Sequence, residues 1–76
     1  MKNEIKDMNT LAVCYIGGYC GLEIKRINYS FDDTIEYIDT FNNSAHKKKL
    51  YYTGSGVYFN HYGRRIHLSE CIRTDI

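Results

Sequence analysis

The chain has no proline and only two alanines, so glycine and asparagine are its main punctuation. It also lacks any run near the roughly 18 apolar residues that a membrane-spanning helix needs. The apolar stretch 11–16 is too short for a signal peptide's hydrophobic region. Met1-Lys2-Asn3-Glu4-Ile5-Lys6-Asp7 is polar with charges of both signs, which also speaks against a signal peptide. Cysteines are few and odd in number: Cys14, Cys20 and Cys71. That count argues against a disulfide framework and leaves free structural thiols as the expectation. Cytoplasm, or the cytoplasm of a host cell, follows as the expected compartment.

What is present describes one small globular domain. Seventy-six residues cannot divide their apolar side chains between two cores, and 43% hydrophobic with 25% charged residues is ordinary globular composition. Net charge is only +1, but it is unevenly placed. Residues 1–41 hold four basic and seven acidic side chains, whereas residues 42–76 hold six basic and two acidic. Such a dipole in sequence suits binding of a charged partner more than it identifies one.

Patterning predicts an α+β domain over residues 10–76, preceded by a flexible leader, 1–9. Residues 11–16 and 22–29 read as strands around the glycine-rich loop 17–21. Along the second strand the apolar phase slips, because Leu22 and Ile24 share one face while Ile27 and Tyr29 fall on the other. A bulge or strong twist at Lys25-Arg26 would restore it. Phe31, Ile35, Ile38 and Phe41 recur at spacings of four, three and three, which predicts a helix over 30–43 ended by Asn42-Asn43-Ser44. A strand there would put Asp39 on the apolar face with Ile35, Tyr37 and Phe41, so helix is preferred. A meander follows, with strands near 50–53, 57–60 and 65–69 joined by Gly54-Ser55-Gly56 and by His61-Tyr62-Gly63-Arg64. The expected order is β-β-α-β-β-β: an antiparallel sheet of about five strands with one helix packed on one face.

The strand phase places Tyr51, Tyr58, Arg65 and His67 on the outer face of the meander. Lys47, Lys48, Lys49, Arg64 and Arg73 are expected around them. Tyrosine and arginine are enriched at binding hot spots, and the same chemistry suits nucleic acid, whose bases stack on aromatic rings. A second candidate surface is the acidic side of the helix: Asp32, Asp33, Glu36 and Asp39. The competing reading for each is plain stabilisation, by cross-strand tyrosines and by a solvated helix face.

Chemistry of other kinds is poorly supported. Cys14, Cys20, His61, His67 and Cys71 lack zinc-type spacing, so no metal and no cofactor are expected. His61, Arg64, Arg65 and His67 lie within seven residues and supply one route to catalysis, as in small ribonuclease toxins. The nearest match to the glycine–histidine turn of one such toxin family, His61-Tyr62-Gly63, has the reverse order. Binding without catalysis is therefore the expectation.

Lys, Asn, Ile and Tyr contribute 29 residues, the vocabulary of an AT-rich genome. The segment Gly56-Val57-Tyr58-Phe59-Asn60-His61-Tyr62-Gly63-Arg64-Arg65-Ile66-His67-Leu68-Ser69-Glu70 is similar to β-hairpins of small phage and mobile-element proteins, many of them host-takeover inhibitors of the anti-CRISPR type. That resemblance implies an inhibitor that binds a host protein or nucleoprotein defence complex and blocks it without turnover. The alternative is a small nucleic-acid-binding protein or ribonuclease toxin working through the basic C-terminal half. A viral assembly protein is a third reading, for which a homodimer through an exposed strand edge would be the mark.

Overall fold

A computed structural model describes residues 5–17, 19–30 and 32–74. Residues 1–4, Gly18, Phe31, Asp75 and Ile76 lie outside them, as do the side chains of Tyr19 and Cys20. Eight strands form two antiparallel sheets: β1 (Ala12–Ile16), β2 (Tyr19–Asn28), β3 (Thr34–Asp39), β4 (Ser44–Lys49), β5 (Tyr51–Thr53), β6 (Gly56–His61), β7 (Arg64–His67) and β8 (Ile72–Arg73). The larger sheet has the order β4-β3-β2-β1-β8 and the smaller β5-β6-β7. Two 3-10 turns, η1 (Ile5–Asp7) and η2 (Leu68–Glu70), complete the described chain.

The expected helix is absent. Residues 34–39 are the third strand of the large sheet, and 44–49 pair with them as a further strand. The fold is thus a two-sheet packing rather than one sheet under a helix. The reason lies in how both faces of β3 are covered. Ile35 and Tyr37 are fully buried against the small sheet, while Ile38, on the opposite face, is buried apart from that core. There η1 packs on β3 and β2, with Ile5 buried as well. A strand covered on both sides needs no alternation, and apolar residues at 35 and 38 then imitate a helical period. Phe41, assigned to the core by the helical stripe, sits in the β3–β4 turn and is 82% exposed.

The irregularity foreseen at Lys25-Arg26 is present. Ile24 pairs with Tyr37 and Arg26 with Glu36, leaving Lys25 as the extra residue. This returns Ile27 to the core side, opposite Ile35. The displaced Lys25 amine is buried and donates to the Met8 carbonyl at 3.0 Å and to Thr10 Oγ1 at 2.9 Å. Those bonds seat the end of the 1–9 segment on the outer face of the large sheet.

Leu50 carries the chain from one sheet to the other. It is buried, and its N–H donates to the Asp33 carbonyl at 2.8 Å, so β4 runs into β5 with a single residue between them. The small sheet then closes over β3 and β4. Leu22, Ile24, Ile35, Tyr37, Leu50, Phe59 and Ile66 form the centre of the core. The meander has the expected phase, with Phe59 and Ile66 inward.

Beyond β7 the chain returns to the large sheet as β8 beside β1. Cys14 and Cys71 are joined there by a disulfide that spans 57 positions. This corrects the expectation of free thiols for these two cysteines. An odd count does not forbid a single bridge, and Cys20 is the residue left over.

Candidate binding face

Three short strands carry a row of planar side chains across the outside of the small sheet. Cross-strand register sets Tyr51 opposite Tyr58, and Tyr58 opposite His67. The Tyr51 and Tyr58 rings stack at 5.3 Å between centroids, with 23° between their planes. His67 lies 5.4 Å beyond Tyr58. The Arg65 guanidinium sits over the Tyr58 ring at 4.4 Å, within the range of a cation–π contact. Tyr51 and Arg65 are exposed, and Tyr58 and His67 are half-buried. The four residues assigned to one face by sequence alternation are therefore brought together.

The expected surround of basic side chains is only partly assembled. Lys47 and Lys49 are exposed on β4, whereas Lys48, of the opposite phase, is half-buried. Lys48 Nζ stands 6.0 Å from the Tyr62 ring, and Lys47 reaches Asp32 at 3.9 Å. Strand alternation thus divides the lysine run between two faces of the large sheet. Arg64 is exposed at the β6–β7 turn, in phase with inward-facing Ile66 rather than with Arg65. Arg73 lies on β8, in the other sheet.

The acidic surface does not exist as one surface. Asp32 and Asp33 belong to the β2–β3 connection, where Asp33 accepts from the Tyr52 hydroxyl at 2.9 Å. Glu36 accepts two hydrogen bonds from Arg26, the shorter at 2.8 Å, on the outer face of the large sheet. Asp39 points the opposite way and is buried. A helix would have gathered these four carboxylates on its solvent side, but Asp32 and Asp33 fall in a connection and strand parity sets Glu36 and Asp39 on opposite faces.

Sequence reasoning missed a buried polar cluster between the sheets. Tyr37 Oη donates to His61 Nδ1 at 2.7 Å, and His61 Nε2 donates to Asp39 Oδ2 at 3.3 Å. This tautomer follows from the carboxylate acceptor at Nε2. The same carboxylate accepts the Phe41 amide at 3.0 Å through Oδ1. His46 stacks on Tyr37 and, with Tyr62, packs edge-on to the group. Burial lowers the His61 pKa against the pull of Asp39, and His46 and Lys48 lower it further. Burial first, then Tyr62 and Asp39, raises that of the Tyr37 phenol. One signal was available: Asp39 and His61 are the polar residues that break two otherwise apolar inward series.

These placements bear on catalysis and on metals. His61 faces inward with both ring nitrogens engaged, while His67 faces outward, so the two do not converge on a common point. Cys14 and Cys71 are bonded to each other, and the Cys20 side chain lies outside the described residues. Among the described residues no group of three or more His, Cys, Asp or Glu side chains is placed to hold a metal ion, and no helix is long and apolar enough to cross a membrane.

Comparison of the chain with protein-family models, with curated proteins and with solved structures found no match.

Proposed function

We propose that this chain acts by occupation rather than turnover: the outer face of β5–β7 docks on a host protein or nucleoprotein complex and blocks its working surface, in the manner of small phage-encoded inhibitors. The observation that carries this reading is the Tyr51–Tyr58–His67 row with Arg65 lying over its centre. Such a surface offers large aromatic area at low entropic cost and a forked cation for a carboxylate or phosphate. Its cation is Arg65, and residues 40–69, which include all three strands, contain no Asp or Glu; the other four Lys or Arg of that run lie off this face. The complementary partner is anionic.

The test is affinity capture from host lysate with the tagged chain and with a Tyr58→Ala, Arg65→Ala variant, before and after nuclease treatment. A specific protein retained after nuclease by the parent chain and lost by the variant supports the reading. Equal capture by both chains would refute it.

A second reading rests on the same run of 30 residues without a carboxylate. Direct binding to nucleic acid would use those cations on phosphates, and retention on RNA or DNA would fall steeply as salt is raised. Loss of all capture on nuclease treatment would favour it over the first.

A further inference from the structure

The two sheets leave four strands at their edges, and those edges are not alike. β4 runs against β6, while β5 and β8 are only three and two residues long. β7 packs chiefly on β6, so its far side is open. The hairpin that makes β7 decides which backbone groups face that side. Tyr62 and Gly63 both have positive φ, at 52° and 81°, which is the type I′ turn of a two-residue hairpin. The flanking pair His61 and Arg64 therefore exchanges both ladder bonds, and so does Phe59 with Ile66 two positions on. By the same alternation Arg65 and His67 turn their N–H and C=O groups away from β6. Cys71 Sγ stands 3.7 Å from the His67 carbonyl. The Arg65 N–H and C=O and the His67 N–H remain, and among the described residues no backbone bond outside the sheets takes them up.

We propose that this edge of β7 takes up an extended acidic segment of a partner protein as an added strand, with a carboxylate beside Arg65. The proposal rests on the docking reading above and names how the partner is held. In this mode the backbone bonds supply affinity, and alternate side chains supply selection. Arg65 projects onto the face of the tyrosine row, and its own backbone groups open the edge next to it. A guanidinium lying over a ring keeps its N–H fork for a carboxylate, and no acidic side chain of residues 40–69 competes for it. Arg64, exposed at the turn, adds a second positive charge at the same edge. A second copy of the chain is the poorer occupant, because edge-to-edge pairing would bring both copies' Arg64 and Arg65 together. Nucleic acid has no peptide groups with which to continue the ladder.

The test titrates the 15N-labelled chain with a short capped peptide of alternating glutamate and threonine, and with its glutamine–threonine counterpart. Threonine suits an added strand, and the two peptides differ in charge. The glutamate peptide is expected to shift the Arg65 and His67 amides saturably and to slow their exchange with solvent. The glutamine peptide should bind roughly tenfold more weakly, the scale of one charge-assisted hydrogen bond. His67→Ala and His67→Pro then separate side chain from backbone. Both lose the imidazole, but only proline also removes the outward N–H. An edge position with φ of −89° and an amide turned from the ladder tolerates proline. His67→Pro should bind the glutamate peptide at least about threefold more weakly than His67→Ala, at similar melting temperature. An absence of shifts at millimolar peptide, equal binding of the two peptides, or equal binding by the two variants overturns the proposal. If capture of the host partner is still lost in the Tyr58→Ala, Arg65→Ala variant, the docking face stands and only the added strand falls. Equal capture by that variant and the parent refutes the docking face, and the peptide shifts then judge the edge alone.

Discussion

Asp39 on β3 and His61 on β6 join the two sheets through a hydrogen bond of 3.3 Å between Oδ2 and Nε2. Both side chains are more than nine-tenths buried, and Tyr37 holds the other ring nitrogen. A carboxylate on an inward face is costly unless it is paired, and here its second oxygen is also used, by the Phe41 amide. One side chain therefore fixes the sheet-to-sheet contact and the adjacent hairpin turn.

Replacing Asp39 with alanine should destabilise the fold by about 1–3 kcal/mol, because it leaves the buried His61 Nε2–H without its acceptor. Urea denaturation reads this as a lower midpoint at unchanged slope. An unmoved midpoint would mean that the contact contributes nothing to the sheet packing.

Stability should also fall on mild acidification. His61 is held below its ordinary pKa of 6.5 by burial, so the unfolded chain takes up this proton first as pH drops. Its contribution is complete above about pH 6.5 and declines as pH falls from there toward the lowered folded-state value. Denaturation midpoints between pH 7.5 and 5 should show this decline, and His61→Gln should flatten that part of the curve. A parent midpoint that rises on acidification through this window would contradict the assignment.

The Cys14–Cys71 bridge closes most of the chain into a loop whose ends are 57 positions apart in sequence. Loop-closure entropy alone assigns such a bridge about 4 kcal/mol. Reduction by a dithiol, or Cys71→Ala, should lower the melting temperature markedly. A thiol count of three in the folded, unreduced protein would refute the bridge.

Strand phase in the small sheet has a direct test. Phe59→Ala should cost about 3–5 kcal/mol, since the side chain is fully buried against Tyr37. Tyr58→Ala, one residue away on the outer face, should cost much less. Equal losses from the two substitutions would show that the face assignment is wrong.

The parts of the fold legible in the sequence are those where one face meets core and the other meets water. The meander qualifies: Tyr58 alternates with Val57 and Phe59, and Ile66 with Arg65 and His67. The slip at Lys25 was equally visible, because the apolar phase changes on either side of it. Residues 34–39 were misread because η1 hides the second face, so that Ile35 and Ile38 are both buried and no alternation remains. Asp39 strengthened the error, since its partner His61 lies 22 residues ahead and no local rule connects them. β4 was missed for the opposite reason. Ser-Ala-His-Lys-Lys-Lys has no apolar signal, and only half-burial of Ser44, His46 and Lys48 reveals its strand period. Within the candidate site, Tyr51, Tyr58, Arg65 and His67 followed from alternation alone. The dispersal of the lysines and of the acidic residues did not, because both groupings assumed backbone that is not there.

The most direct test of the account is the affinity of the captured host partner for the parent chain and for the Tyr58→Ala, Arg65→Ala variant, measured with nuclease-treated components at equal thermal stability. Occupation through the aromatic–cationic face predicts a loss of at least about tenfold, the order expected when hot-spot side chains are removed. Undiminished affinity in a folded variant would contradict the account and place the binding surface elsewhere on the molecule.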